Sequence, residues 1–141
     1  MVAIMVGTHG SFSKQILRSA EMIFGKQENV SSVTFETGEG IEDLVEKYKK
    51  AAEKLNCKEG VLFLVDLFGG SPFNAASRVV TEGDNMDVLT GINLPMLLEI
   101  YGSRGFSNLE ELVSIGKKAG AEGIKSLREV LAQPDDDEEL L

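Results

Sequence analysis

The chain has no tryptophan, one cysteine, one histidine and three prolines in 141 residues. The lone Cys57 has no partner for an internal disulfide, and with a single histidine it falls short of any zinc ligand set. We therefore expect no metal, no cofactor and a reducing, cytoplasmic setting. No run reaches the roughly 18 consecutive apolar residues of a membrane span. The apolar stretch at the amino terminus is too short for a signal peptide and lacks its basic flank. A soluble protein without direct membrane insertion follows. Positive charge is scarce: 14 Lys and Arg stand against 23 Asp and Glu, a net charge of −9. That balance disfavours a nucleic-acid partner, whose phosphates call for clustered basic side chains. Five of the acids, Asp135 to Glu139, fall together near the carboxyl end, so the body of the chain is only mildly acidic.

What the chain does have is apolar content, 43%, enough for one compact domain with a sizeable core. Val2 to Val6 reads as a buried strand. Ile16, Leu17, Ala20, Ile23 and Phe24 then recur at helical spacing up to Gly25. Val30 to Phe35 is of strand type, and Ile41, Leu44, Val45, Tyr48, Ala51, Ala52 and Leu55 trace one face of a helix. Gly60 to Asp66 is almost uninterruptedly apolar, as a central parallel strand covered on both faces should be. Ser71-Pro72 opens a helix to about Val80, with the serine hydroxyl as its cap. Met86 to Thr90 makes a fourth strand, Asn93-Leu94-Pro95 opens a short helix, and Ser107 to Glu110 matches a capping box. Ile124, Leu127, Val130 and Leu131 have helical spacing. This alternation predicts a doubly wound α/β fold with helices on both faces of a mainly parallel sheet. The domain spans residues 1–130. Residues 131–141 form an acidic tail whose composition predicts disorder.

In open sheets of this kind, ligands bind beyond the carboxyl ends of the strands, where the winding reverses. A strand order 2-1-3-4 sets the loop after the first strand, Gly7-Thr8-His9-Gly10, beside the loop after the third, which begins at Asp66. An imidazole and a carboxylate become neighbours. The carboxylate would fix the ring's tautomer and leave its other nitrogen as a nucleophile. Gly69-Gly70-Ser71-Pro72 adds a tight turn and a helix start with free N–H donors, an arrangement suited to an anion. Together these parts describe phosphoryl transfer through a phosphohistidine.

Each part also has an ordinary structural use. A single histidine can serve the fold by hydrogen bonding, aspartate at a strand end is common turn chemistry, and Gly-Gly-Ser-Pro suits a plain turn. Met5, Met22 and Met96 read as core or interface fillers. Cys57 has no nearby base in sequence, and Arg78 suits a surface ion pair. Phe68 and Phe73 fit either a contact rim or helix packing. Thr8 to Ser13 also resembles the phosphate loop of a flavodoxin, so a flavin- or nucleotide-binding module remains a competing reading. A receiver domain with Asp66 as acceptor is disfavoured, because the first strand ends without an acidic pair for Mg²⁺.

Four stretches carry a specific resemblance: Gly7 to Gly10, Gly60 to Asp66, Gly69 to Arg78, and Gly91 to Leu97. In their order and spacing the chain resembles the IIA component (EIIA) of the mannose family of the bacterial phosphoenolpyruvate-dependent sugar phosphotransferase system. The resemblance implies that His9 accepts a phosphoryl group from HPr and donates it to an EIIB component, which serves the membrane components EIIC and EIID. Asp66 would orient His9, and Thr8, Gly10, Gly69, Gly70 and Ser71 would bind the phosphate. It also implies a homodimer with an antiparallel strand near Gly123 to Val130 exchanged between subunits. Where some relatives carry tryptophans beside the histidine and after the aspartate, this chain has Ser11 and Phe68.

Overall fold

The computed structural model describes residues 1–134. The predicted tail, apart from its first four positions, lies outside the described residues. Four strands, β1 (Ala3–His9), β2 (Val30–Phe35), β3 (Val61–Val65) and β4 (Met86–Thr90), form one sheet in the order β2-β1-β3-β4. Every pairing is parallel, and β1 and β3 occupy the centre. This is the expected doubly wound arrangement.

Alternation along the central strands builds two cores, because successive side chains of a strand point to opposite faces. Ile4, Val6, Leu62 and Leu64 point to one face, where α1 (Phe12–Phe24), α4 (Leu94–Ser103) and α5 (Leu109–Glu122) cover them with Ile16, Leu97, Ile100 and Leu112. Met5, Phe63 and Val65 point to the other, beneath α2 (Ile41–Glu53) and α3 (Ser71–Glu82) with Leu44, Tyr48, Ala75 and Ala76. Full burial of each large aliphatic side chain contributes roughly 1.5–3 kcal/mol. Two covered faces therefore explain why β3 reads as an unbroken apolar run.

Several local expectations need correction. β1 continues past Val6 to His9, because Thr8 and His9 keep their register with Thr34 and Phe35 of β2. The helix after the third strand starts with Gly70 as its cap, so Ser71 is already helical and its hydroxyl caps nothing. In α5 the capping box is Asn108 with Glu111, one residue later than the Ser107 to Glu110 match. Met5 and Met96 are core residues, whereas Met22 is 88% exposed. In the single chain residues Leu127–Leu131 form a short helix, α6, as their own spacing predicts, while the exchanged strand that the resemblance implies belongs to a dimer. A strand there requires a neighbour to supply its hydrogen bonds, and in the single chain the helical spacing of Leu127, Val130 and Leu131 prevails.

The amino ends of the strands are held by a residue that no sequence pattern marks. Arg104, only 2% exposed, follows α4 and donates to the carbonyls of Val2 at 2.7 Å, Glu28 at 2.7 Å and Asn29 at 2.9 Å. Its Nε is buried without a partner, and burial holds the guanidinium below its ordinary pKa. Arg104 thus ties α4 to the sheet at the end remote from His9.

Candidate functional site

At the carboxyl edge of the sheet, α1 leaves β1 towards one face and α3 leaves β3 towards the other. The divergence opens a crevice between the ends of two hydrogen-bonded strands, the switch point of an open sheet. His9 is the last residue of β1, and Asp66 directly follows β3. Nδ1 of His9 lies 2.8 Å from Oδ2 of Asp66, and the same oxygen accepts the His9 backbone N–H at 3.1 Å. Oδ1 accepts the N–H of Leu67 at 3.1 Å. The carboxylate is therefore fixed on both oxygens. In the neutral ring this contact assigns the proton to Nδ1 and leaves the lone pair on Nε2.

The two side chains differ in exposure in a useful way. His9 is 44% exposed while Asp66 is only 15% exposed, so the ring meets solvent and the group that orients it stays within the fold. Phe35, paired in register with His9, presents its ring at 79° to the imidazole with centroids 5.7 Å apart. Gly70 closes the opposite side: a Cβ there would stand 2.9 Å from His9 Cε1 and 3.5 Å from Nε2. Glycine at 70 is a matter of space, since its φ of −76° and ψ of 172° suit any residue. A cleft of about 360 Å³ opens beside His9, lined also by Gly10, Phe35, Glu36, Thr37 and Gly38.

The residues expected to bind phosphate fall into two groups. Gly69, Gly70 and Ser71 form the turn into α3, where Gly69 has the positive φ of 85° that favours glycine. Among the described residues no carbonyl or side chain accepts their amides, and Asn74 braces the turn through a 3.2 Å bond to the Gly69 carbonyl. Free amides at the positive end of a twelve-residue helix suit an anion.

Thr8 and Gly10 belong elsewhere. Thr8 is fully buried; its hydroxyl accepts the Ser13 N–H at 2.6 Å and donates to the His9 carbonyl at 3.2 Å. It caps α1 from within the strand. The Gly10 N–H donates to the Phe35 carbonyl at 2.9 Å, and its φ of 57° supplies the turn. The Thr8 hydroxyl and the Gly10 amide thus both have hydrogen-bond partners within the fold, unlike the amides of the Gly69-Gly70-Ser71 turn.

Other singled-out residues stand apart from the crevice. Arg78 pairs with Glu42 at 2.5 Å, linking α3 to α2. Cys57 is half-buried, and burial pushes its thiol pKa up. Phe68 is 80% exposed and packs on the partly buried Phe73, with ring centroids 4.6 Å apart. Among the described residues no helix is long and apolar enough to cross a membrane, and no group of three or more His, Cys, Asp or Glu is placed to hold a metal ion. Phe35 and the space requirement at Gly70 escaped the sequence reading. Phe35 was within reach of it, because a parallel β2–β1 pair aligns the carboxyl ends of both strands.

Fold and site together define an open parallel α/β protein with a histidine–carboxylate pair at its switch point. The chain belongs to the EIIA family of the sugar phosphotransferase system: the family described as PTS system fructose IIA component matches residues 3–115. It is 41% identical over 114 residues to the fructose-specific EIIA component of Bacillus subtilis, covering 81% of this chain and 78% of that protein. It is 47% identical over 128 residues to the mannose-specific EIIAB component of Escherichia coli, covering 90% of this chain and 40% of that protein. The chain thus spans about two fifths of the length of that relative. The crystal structure of an EIIA component from Streptococcus agalactiae superposes with a TM-score of 0.83 at 33% identity, covering 92% of this chain and 99% of that one.

Proposed function

We propose that this chain is a phosphoryl carrier in which His9 takes a phosphoryl group from phosphorylated HPr and passes it to an EIIB component. The observation that carries this reading is the 2.8 Å contact between His9 Nδ1 and Asp66, which leaves Nε2 on the solvent side beside Gly70. In the first step the Nε2 lone pair attacks phosphorus, and the bond between phosphorus and the donor's nitrogen breaks. The electron pair of that bond stays with the donor. The proton on Nδ1 does not move, so the phosphorylated ring is formally cationic, and the Asp66 carboxylate offsets that charge. The unengaged amides of Gly69, Gly70 and Ser71, with the Ser71 hydroxyl, hold the phosphoryl oxygens. Transfer to EIIB repeats the displacement in the opposite sense, with EIIC and EIID taking up the sugar.

A macromolecular partner also accounts for the exposed apolar side chains near the crevice, Phe12 at the start of α1 and Leu67 and Phe68 on the loop after β3. Association of two chains would cover the exposed Ile124, Leu127 and Leu131. The test is a relay assay with labelled phosphoenolpyruvate, enzyme I and HPr, followed by a chase with a mannose-family EIIB. Label should enter this chain and leave on addition of EIIB. Label that enters and is not released to any such EIIB would overturn the carrier role.

A further inference from the structure

Tyr48 is the buried titratable group nearest the site that the chemistry above does not use. Its sequence context marks it only as one position on the apolar face of α2. In the fold it is fully buried, and its ring meets Phe63 of β3 edge to face, with centroids 5.2 Å apart at 88°. Its hydroxyl donates to the Pro72 carbonyl at 3.0 Å, in the first turn of α3. The phenol also fills the space over Gly7, where a Cβ would overlap the phenol oxygen. One side chain therefore touches β1 two residues before His9, β3 three residues before Asp66, and the first turn of α3 one residue after Ser71.

We infer that Tyr48 is a positioning residue of the phosphoryl site, its hydroxyl setting the start of α3 at a fixed height over β1 so that the Gly70-Ser71 amides face His9 Nε2. The inference rests on the phosphohistidine reading. Three features support it. Position 7 carries no side chain, so the phenol reaches α3 across bare backbone. The Pro72 carbonyl lies within one turn of the amides whose placement matters, and the proline ring restricts the backbone there. The phenol also lies close enough for the Asp66 charge to act on it: burial first, and that charge second, hold its pKa well above the ordinary tyrosine range. The hydroxyl remains a donor throughout the working range. An anion cradle misplaced by even 1 Å from the reacting nitrogen lowers transfer steeply, by up to about 100-fold.

The test is Tyr48→Phe, which keeps the ring and removes only the hydroxyl. Ile100→Val in the opposite core serves as a control for general loosening. Phosphorylation by phospho-HPr is followed by intact mass over time, and amide NMR shifts of Gly70 and Ser71 are recorded without any phosphoryl donor. We expect the Tyr48→Phe kcat to fall about tenfold or more with KM for HPr unchanged. The Gly70 and Ser71 amides should shift, while Ile100→Val keeps the kcat of the unmodified chain. A kcat within twofold of the unmodified chain, or a loss that Ile100→Val reproduces at equal melting temperature, overturns the inference. Unmoved Gly70 and Ser71 amides do so as well, whether or not His9 proves to be the acceptor. Absence of phosphorylation in the unmodified chain instead defeats the carrier reading, so the two failures are told apart.

Discussion

His9 and Asp66 are 57 residues apart in sequence, yet one carboxylate oxygen of Asp66 binds both the ring Nδ1 and the backbone N–H of His9. The second bond gives the pair its stiffness. Through it Asp66 fixes where the histidine backbone ends as well as how the ring is turned, and the Leu67 N–H holds the carboxylate in return. The pairing of β1 with β3, in register from Ala3 with Val61 to Gly7 with Val65, brings Asp66 within one position of His9 at the carboxyl ends of the two strands.

Asp66→Asn keeps the shape and removes the charge. The amide cannot offset a cationic phosphorylated ring, and it can turn its NH₂ towards Nδ1 and reverse the tautomer. Phosphoryl transfer by this variant should fall about 100-fold or more, with little change in melting temperature. Single-turnover mass spectrometry measures the rate, and imidazole ¹⁵N shifts report the tautomer.

Gly70→Ala separates activity from stability. The backbone at 70 accommodates alanine, but the new Cβ would stand 2.9 Å from His9 Cε1. The ring must rotate away from it, straining the contact with Asp66. Transfer should drop by about tenfold, while thermal unfolding stays within about 2 °C of the unmodified chain. An unchanged rate would show that Nε2 does not work against the α3 turn.

Arg104→Met should do the reverse. It leaves three carbonyls at the amino ends of β1 and β2 without their charged donor, at a loss of about 3 kcal/mol or more. His9 lies at the other end of β1, about 20 Å away by strand rise. Chemical denaturation should therefore show the loss, and transfer measured at a temperature where the variant is folded should match the unmodified chain.

Cys57 offers a check on burial. Its thiol is held above its ordinary pKa by burial, and alkylation needs the thiolate. At neutral pH, modification of the folded chain should be at least about tenfold slower than in denaturant, as read by mass spectrometry.

The sheet was legible because its central strands are covered on both faces, so Val61 to Val65 reads as one apolar run. Winding order then sufficed to bring His9 and Asp66 together. What escaped the sequence depends on where a backbone group ends up. The Thr8 hydroxyl and the Gly10 amide both lie in a glycine-flanked loop, but the start of α1 engages the hydroxyl through the Ser13 N–H and the end of β2 engages the amide through the Phe35 carbonyl. No sequence pattern marks Arg104, and only the carbonyls of Val2, Glu28 and Asn29 give it a buried role. Tyr48 has the spacing of a core position, and nothing local reveals that its hydroxyl meets Pro72. The segment at Leu127 to Leu131 follows its own periodicity into a helix, whereas the strand expected there depends on a second chain.

The most direct measurement is the intact mass of the chain after incubation with phosphoenolpyruvate, enzyme I and HPr, beside His9→Ala. The account predicts a single added phosphoryl group that is acid-labile, is carried by His9 and is absent from the variant. An equal gain in His9→Ala, or no gain with upstream proteins shown to be active, would contradict it.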